Sequence, residues 1–170
     1  MNVAVAPILY DEQNETIILV RRGPEARTDV GMWQFPGGAV DLEDATMAHA
    51  LVRETKEELG IEINPTGARV IDIVQERYPE EVWVVLFYLV TTWSGKLTLL
   101  EPHKIDAIQE VGIEFIPEFR SKNHGLISRG TEHVLRTLEI RHFNKASGLR
   151  LGEAHQPLIP ETVWIGDSDE

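Results

Sequence analysis

The most informative stretch of the chain is residues 37–61, GGAVDLEDATMAHALVRETKEELGI. From Ala45 to Leu59 its apolar residues recur with the spacing of an amphipathic helix. Gly60 follows, a residue type that ends helices in the left-handed conformation. On a wheel of about 100° per residue, the predicted inward stripe consists of Ala48, Val52, Thr55 and Leu59. The stretch therefore predicts one helix that packs on a core.

Three acidic residues, Glu54, Glu57 and Glu58, fall in a single arc on the other side of this predicted helix. One interpretation is a solvated face, in which Arg53 and Glu57 form an i,i+4 ion pair. The other is a functional site, because Glu54 and Glu58 repel one turn apart and all three acids lie near the negative end of the helix dipole. A bound Mg²⁺ would turn this unfavourable crowding into a ligand set of hard oxygen atoms.

The loop before the helix contains Pro36, Gly37 and Gly38. Alone, this sequence predicts only a turn. Beside an acidic helix, the two glycines also let the backbone approach a ligand without side-chain obstruction, and a carbonyl oxygen becomes available to a metal. Gly37 and Gly38 are therefore candidate substrate-binding residues.

Together, these residues resemble the signature of the Nudix hydrolases, in which a glycine and a spaced glutamate precede Arg-Glu, two further glutamates, a glycine and an aliphatic residue. Gly38 and residues 53–61 match this pattern. Three positions depart from it: Asp44 replaces the first glutamate, one extra residue separates it from Arg53, and Thr55 replaces an aliphatic residue. Asp44 either takes the role of that glutamate or caps the helix. The Thr55 methyl can pack while its hydroxyl bonds the carbonyl one turn back.

The resemblance implies an α+β fold, a Nudix-type α/β/α sandwich with a mixed sheet. It also implies an enzyme that hydrolyses a nucleoside diphosphate linked to another group, with Mg²⁺ or Mn²⁺ as cofactor. The implied metal ligands are the Gly38 carbonyl, Glu54, Glu57 and Glu58, one of which acts as base.

Further roles follow from the same resemblance. Arg53 is expected to orient a metal-binding glutamate through a bidentate ion pair. The family often recruits another acid from a later loop, and Glu101 is the candidate; the alternative is an ordinary turn residue before Pro102. The surrounding stretch, LLEPHKIDAIQEVGIEF at residues 99–115, looks like a segment of a Nudix branch that includes nucleoside triphosphate pyrophosphatases.

Substrate-side candidates precede the acidic helix. Arg21, Arg22 and Arg27 flank the preceding loop and either contact phosphates or are ordinary surface residues. Trp33 is a candidate for stacking on a base. Further stacking candidates are Phe35, Tyr78, Trp83 and Tyr88. Alternation along a strand sends about half of such side chains into the core.

Apolar segments predict the rest of the framework. VAVAPILY and TIILVRR indicate a hairpin, and VWVVLFYLV, residues 82–90, is too continuously apolar for an edge strand. Further strands are predicted at residues 32–35, 69–75, 81–92 and 110–116, and a second helix at 131–143. We expect one Nudix domain over residues 1–145 and a C-terminal arm over residues 146–170 with a disordered acidic end. The arm either mediates a homodimer or folds back on its own subunit.

Composition restricts the partners. A formal charge of −12 argues against electrostatic binding to long nucleic acids but allows a small phosphorylated ligand bridged by divalent cations. The sequence shows no export signal or membrane-spanning segment and contains no cysteine, so a reducing cytoplasm is the expected setting.

Three functions are compatible with these residues. The first is a metal-dependent nucleoside triphosphate pyrophosphatase, which releases the monophosphate and pyrophosphate. The second is an ADP-sugar or dinucleotide pyrophosphatase. The third is a non-catalytic Nudix-like domain that senses a nucleotide, but such a domain would be expected to lose metal-binding acids that this chain retains.

Overall fold

The computed structural model describes residues 1–146, and side chains through residue 142. The strands are β1 (Asn2–Asp11), β2 (Thr16–Arg22), β3 (Trp33–Gln34), β4 (Gly38–Ala39), β5 (Glu62–Ile63), β6 (Arg69–Arg77), β7 (Val82–Val90), β8 (Trp93–Ser94) and β9 (Ile105–Gly112). The α-helices are α1 (Met47–Leu59), α2 (Ile116–Lys122) and α3 (Arg129–Ala146), and short 3₁₀ helices occur at Pro65–Gly67 and Ile113–Phe115.

The main sheet is mixed. Strand β1 runs parallel to β7 and antiparallel to β2 and β4, while β6 pairs antiparallel with β7, and β3 and β9 pair antiparallel with β2. Strand β7 therefore lies between β1 and β6, as its continuous apolarity predicts. Strand β1 changes partner along its length: Ala4 and Val5 pair with β4, whereas Tyr10 and Asp11 pair with β2. This change of partner places the Gly37–Gly38 loop beside the middle of the sheet.

Two apolar cores cover the two faces of the sheet. On one face, α1 packs through Ala50, Leu51 and Leu59 on strand residues such as Val5 and Val20. On the other face, Ile116, Phe119, Val134 and Leu135 of α2 and α3 pack on strand residues that include Ile8, Leu19 and Phe87. Helix, sheet and helix form three layers, which confirms the predicted α/β/α sandwich.

One predicted strand was wrong in its bounds, and one helix was not predicted. Strand β9 spans residues 105–112 rather than 110–116, because the chain leaves the sheet in a 3₁₀ helix at Ile113–Phe115. Helix α2 has only seven residues and begins with Pro117 near its first position, so it is too short to show helical periodicity in the sequence. In the part of the chain from residue 1 to 146, no helix combines the length and apolarity that crossing a bilayer requires. Apart from Ala146, the predicted C-terminal arm lies outside the described residues.

Candidate active site

Helix α1 is fixed at both ends by its own sequence. Thr46 is the N-cap, and its hydroxyl accepts a hydrogen bond from the His49 N–H at 3.2 Å. Gly60 ends the helix in the left-handed conformation, with φ of 67°. Within the helix, the Thr55 hydroxyl donates to the Leu51 carbonyl at 2.6 Å, as predicted.

The buried face of α1 is rotated from the predicted stripe. Leu51, Thr55 and Leu59 are fully buried, but Ala48 and Val52 are only partly buried. Glu58, predicted to lie opposite the core, is 4% exposed. The rotation brings this carboxylate against the loop that precedes the helix.

Glu58 is held by the backbone of that loop. The Gly37 N–H donates to Glu58 Oε2 at 2.7 Å. Burial is the main cause that raises the pKa of Glu58 to about 8, and the negative charges of Glu54 and Glu101 act in the same direction. The Gly37 N–H and the positive charge of Arg22 oppose this rise in pKa. Glu101 and Arg22 therefore lie near enough to act electrostatically on Glu58.

Glu54 lies against Gly38. A Cβ atom placed on Gly38 would lie 2.5 Å from Glu54 Oε2, so only glycine leaves room for this carboxylate. Burial is again the main cause that raises the pKa of Glu54, and the ion pair with Arg53 opposes it. Two glutamates of α1 thus meet two consecutive glycines of the loop.

Arg53 connects the acids to the loop. Its fork binds Asp44 in a bidentate pair, with Nε to Oδ1 at 3.2 Å and Nη2 to Oδ2 at 2.8 Å. Its Nη1 donates to Glu54 at 2.8 Å and Glu57 at 3.1 Å, and its Nη2 donates to the Ala39 carbonyl at 2.9 Å. The bidentate partner is therefore Asp44, while Glu54 and Glu57 each receive a single bond.

Asp44 is not the helix cap, because Thr46 occupies that position. Its carboxylate also accepts from the Asp41 N–H at 2.9 Å, and its own N–H donates to the Asp41 carbonyl at 3.1 Å. This closed turn precedes the helix in the segment that is one residue longer than the family pattern. The interaction with Arg53 lowers the pKa of Asp44 and keeps it charged.

Replacing Arg53 with alanine is expected to lower turnover by about 10- to 100-fold, a usual effect of removing a group that orients metal ligands. Lysine is expected to rescue poorly, because it lacks the planar fork that matches Asp44. Steady-state kinetics of both variants would measure the effect. Lys56→Ala is the matched control, since Lys56 lies on the same helix in an exposed ion pair with Glu62. Equal losses in Lys56→Ala and Arg53→Ala would contradict the positioning role.

The turn at Glu101 lies beside the C-terminal end of α1. The Leu100 N–H donates to the Glu58 carbonyl at 3.1 Å, and Lys104 Nζ lies 2.7 Å from Glu101 Oε1. The pKa of Lys104 is raised mainly by Glu101, with further contributions from Glu54 and Glu58. Lys104 is thus a cation near the acids that the sequence did not single out, although it lies in the EPHK segment.

A cleft of about 300 Å³ adjoins the acids at the glycine loop. Its lining includes Arg22, Arg27, Gly37, Gly38, Tyr78 and Trp83. Among the described residues, the glutamates of α1 do not line the cleft. A ligand in the cleft would therefore reach them by extending past Gly37 and Gly38.

The substrate-side candidates divide into two groups. Arg22 lines the cleft and donates to the Thr28 carbonyl at 3.2 Å, and Arg27 lines it while paired with Glu81. Arg21 instead pairs with Asp106 at 2.7 Å and lies over the Trp33 ring. Trp33 is 9% exposed in the core, with its ring edge-on to Phe119. The structure does not bring Arg21 and Trp33 to the cleft.

The donor set fits a hard divalent cation. Glu54, Glu57 and Glu58 and the Gly38 carbonyl offer only oxygen atoms, which Mg²⁺ and Mn²⁺ prefer. The burial that raises the pKa of Glu58 also means that this carboxylate gains from a nearby positive charge. Within residues 1–142, no three acidic or histidine side chains already converge in metal-binding geometry, and Arg53 neutralises part of the acidic charge.

Comparisons with known proteins support the resemblance to the Nudix family. The family model of the NUDIX domain matches residues 1–129. An 8-oxo-dGTP diphosphatase of Proteus vulgaris is 34% identical over 93 residues, 55% of this chain and 79% of that protein. A CTP pyrophosphohydrolase of Escherichia coli K12 is 45% identical over 51 residues, 30% of this chain and 36% of that protein. Several other curated relatives are matched over less than half of their length.

Solved structures share the fold. The crystal structure of a MutT NUDIX hydrolase from Burkholderia pseudomallei has a TM-score of 0.67 and 25% identity, and the match covers 79% of this chain and 95% of that one. A MutT protein from Methanosarcina mazei has a TM-score of 0.67 at 19% identity, over 83% of this chain and 94% of that one, which shows likeness of fold alone.

Proposed function

Because this chain belongs to the Nudix hydrolase family, we propose that it hydrolyses nucleoside triphosphates to the monophosphate and pyrophosphate. Members of this family act on phosphoanhydride bonds of small nucleotides and generally need divalent metal ions. The main support is that Glu58 and Glu54 of α1 lie against Gly37 and Gly38, two glycines that also line the cleft. Two of its relatives, the 8-oxo-dGTP diphosphatase and the CTP pyrophosphohydrolase, carry triphosphates in their names.

The proposed metal ligands are the Gly38 carbonyl, Glu54, Glu57 and Glu58, with Glu101 joining from its turn. Mg²⁺ or Mn²⁺ held there would neutralise phosphate charge and lower the pKa of a bound water. Arg53 holds Glu54 and Glu57 through hydrogen bonds from its Nη1, and Glu54 lies against Gly38. Arg22 and Lys104 are the cations placed to contact phosphate oxygens, because their charges already act on the acids.

Proton transfer is assigned to one of the acids. A general base must accept a proton from the attacking water, which requires a carboxylate whose pKa lies nearer to neutrality than that of an exposed glutamate. In the metal-free protein, burial moves the pKa values of Glu54 and Glu58 in that direction. Glu57, whose side chain is 53% exposed, is proposed as a metal ligand only.

Product analysis tests the proposal. We expect a panel of nucleoside triphosphates to yield pyrophosphate and the monophosphate, with turnover abolished by EDTA and restored by excess Mg²⁺ or Mn²⁺. ADP-sugars and dinucleotides run in parallel give two monophosphates and no pyrophosphate. If these compounds are cleaved and triphosphates are not, the proposed substrate class is wrong; turnover unaffected by chelation would reject the metal requirement.

A further inference from the structure

The cleft extends across the sheet from the glycine loop to β6. Ala39 of β4 pairs with Ala4 of β1, which pairs with Val85 of β7, which in turn pairs with Val74 of β6. Three strand spacings separate β4 from β6, a distance of about 14 Å. A nucleotide that lies along this cleft with its phosphates at Gly38 would place its base toward β6.

Three polar side chains meet at that side of the cleft. The Tyr78 hydroxyl lies 2.6 Å from Asp29 Oδ2 and 3.2 Å from Glu76 Oε2. The Gly130 N–H donates to Glu76 Oε1 at 2.7 Å. Asp29, Glu76 and Tyr78 all line the cleft. Asp29 has a φ of 53°, an uncommon conformation for a residue other than glycine.

Asp29, Glu76 and Tyr78 have fewer protons to donate than lone pairs to accept them. The Tyr78 hydroxyl has one proton and two carboxylates within reach, and the shorter distance assigns that proton to Asp29. If Glu76 is protonated, its own proton can go to the Tyr78 oxygen. In either state each proton already has an acceptor inside the group, while the two carboxyl groups keep spare lone pairs. The unused capacity on this side of the cleft is for accepting hydrogen bonds.

The electrostatic environment of Glu76 agrees with this count. Burial is the main cause that raises the pKa of Glu76, and the negative charge of Asp29 acts in the same direction. The Gly130 N–H, the Tyr78 hydroxyl and the positive charge of Arg129 oppose the rise. A further N–H donor from a ligand would favour the charged carboxylate.

We propose that Glu76 is a specificity-determining residue that accepts a hydrogen bond from an exocyclic amino group of the substrate base. This inference rests on the proposed function, since it takes the cleft as the place of the nucleoside. If a base has a keto oxygen in that position, the keto oxygen and the Glu76 carboxylate face each other as two hydrogen-bond acceptors, and neither receives a proton. The chain should therefore prefer amino-bearing bases over their deaminated counterparts.

Three pairs of triphosphates isolate the amino group: a keto oxygen replaces it in UTP against CTP and in ITP against ATP, and a hydrogen atom replaces it in dITP against dGTP. For the base that the enzyme uses best, we expect kcat/KM for the amino member to exceed that of its counterpart by about 10- to 100-fold, the usual range for a hydrogen bond to a charged group. Glu76→Gln should abolish this ratio or reverse it, because a glutamine carbonyl that accepts from the Gly130 N–H leaves the amide N–H₂, a donor, facing the base.

A structural role for Glu76 makes a different prediction. The glutamine carbonyl can still accept from the Gly130 N–H, so α3 keeps its contact, and a change in stability alone would slow both members of a pair equally. Glu81→Gln is the matched control within the same cleft. Glu81 already accepts from Arg27, Asn2 and Trp83, so its replacement should leave the ratio unchanged.

The two proposals fail separately. Calorimetric binding of CMP against UMP, AMP against IMP and dGMP against dIMP measures base selectivity without turnover. Release of pyrophosphate with equal kcat/KM in all three pairs, or a ratio that survives Glu76→Gln, overturns the role of Glu76 and leaves the proposed function standing. Amino-selective monophosphate binding that is lost in Glu76→Gln, without pyrophosphate release from any triphosphate, supports the role of Glu76 and overturns the proposed function.

Discussion

Single replacement of Glu54, Glu57 or Glu58 by glutamine is expected to lower kcat by about 10²- to 10⁴-fold, the range for losing a general base or an equivalent charged group in the transition state. Glutamine keeps the size of the side chain but removes the charge that would hold a divalent cation. Pyrophosphate release at saturating Mg²⁺ measures the loss, and circular dichroism measures whether the fold persists.

Glu62→Gln is the control for this series. Glu62 lies in β5, shortly after α1, and forms an exposed ion pair with Lys56, so it shares the local charge but is outside the proposed set of metal ligands. Its turnover should stay within about twofold of the parent, because exposed pairs contribute little. Near-parental turnover in both Glu57→Gln and Glu58→Gln would refute the assignment of these acids to catalysis.

Glu58→Gln has a second expected effect, on stability in the metal-free protein. The folded protein holds the pKa of Glu58 near 8, above the ordinary value of 4.5 that applies to the unfolded chain. Between these values the folded state binds more protons, so stability falls as pH rises from about 4.5 to 8. Glutamine cannot ionise and lacks this contribution. In EDTA, the melting temperature of Glu58→Gln minus that of the parent should therefore increase as pH rises from about 4.5 to 8.

Local sequence pattern predicts the position of helix α1 and the spacing of its acidic residues. Helix α1 and the central strand β7 follow from periodicity and apolarity, because each depends on residues adjacent in the chain. Residues 53–61 carry fixed spacing, so the i,i+4 contact of Glu57 with Arg53 follows from helix geometry. These are short-range consequences of the sequence.

Other features of the site depend on contacts distant in sequence. Burial of Glu58 results from its bond to Gly37, and the bidentate partner of Arg53 is Asp44 rather than a metal-binding glutamate. The cleft joins strands whose pairing the sequence does not specify residue by residue. Trp33 resembles a stacking residue in composition, yet strand alternation and packing on Phe119 place it in the core.

Gly38→Ala should mainly lower turnover, whereas Gly37→Ala should mainly lower stability. At Gly38, the three atoms nearest to the added Cβ all belong to the Glu54 carboxylate, the end of a flexible side chain, so the protein should fold with Glu54 displaced. Displacement of a catalytic group by about 1 Å can cost about 100-fold in rate. Gly38→Ala is therefore expected to melt near the parent temperature and to lose most of its turnover.

At Gly37, the added Cβ would lie 2.1 Å from the Val5 carbonyl oxygen and 2.9 Å from Ala6 Cα. Both atoms belong to the backbone of β1, which is fixed between its neighbours in the sheet. Gly37 also has a φ of 129°, which residues with a Cβ rarely adopt. Backbone strain of about 1–3 kcal/mol adds to overpacking of about 1–3 kcal/mol. Gly37→Ala should therefore lose a substantial part of the stability of the fold.

Gly125→Ala separates these two causes. Gly125 has a φ of 76°, but its Cβ would meet nothing within 4 Å, so this variant carries backbone strain without a steric clash. Differential scanning calorimetry of the three variants should place Gly37→Ala well below Gly125→Ala, by roughly 2–4 °C for each kcal/mol of clash in a domain of this size. Melting of Gly37→Ala together with Gly125→Ala would show that β1 yields to the clash, and that the glycine loop is not held as tightly against the sheet as its contacts indicate.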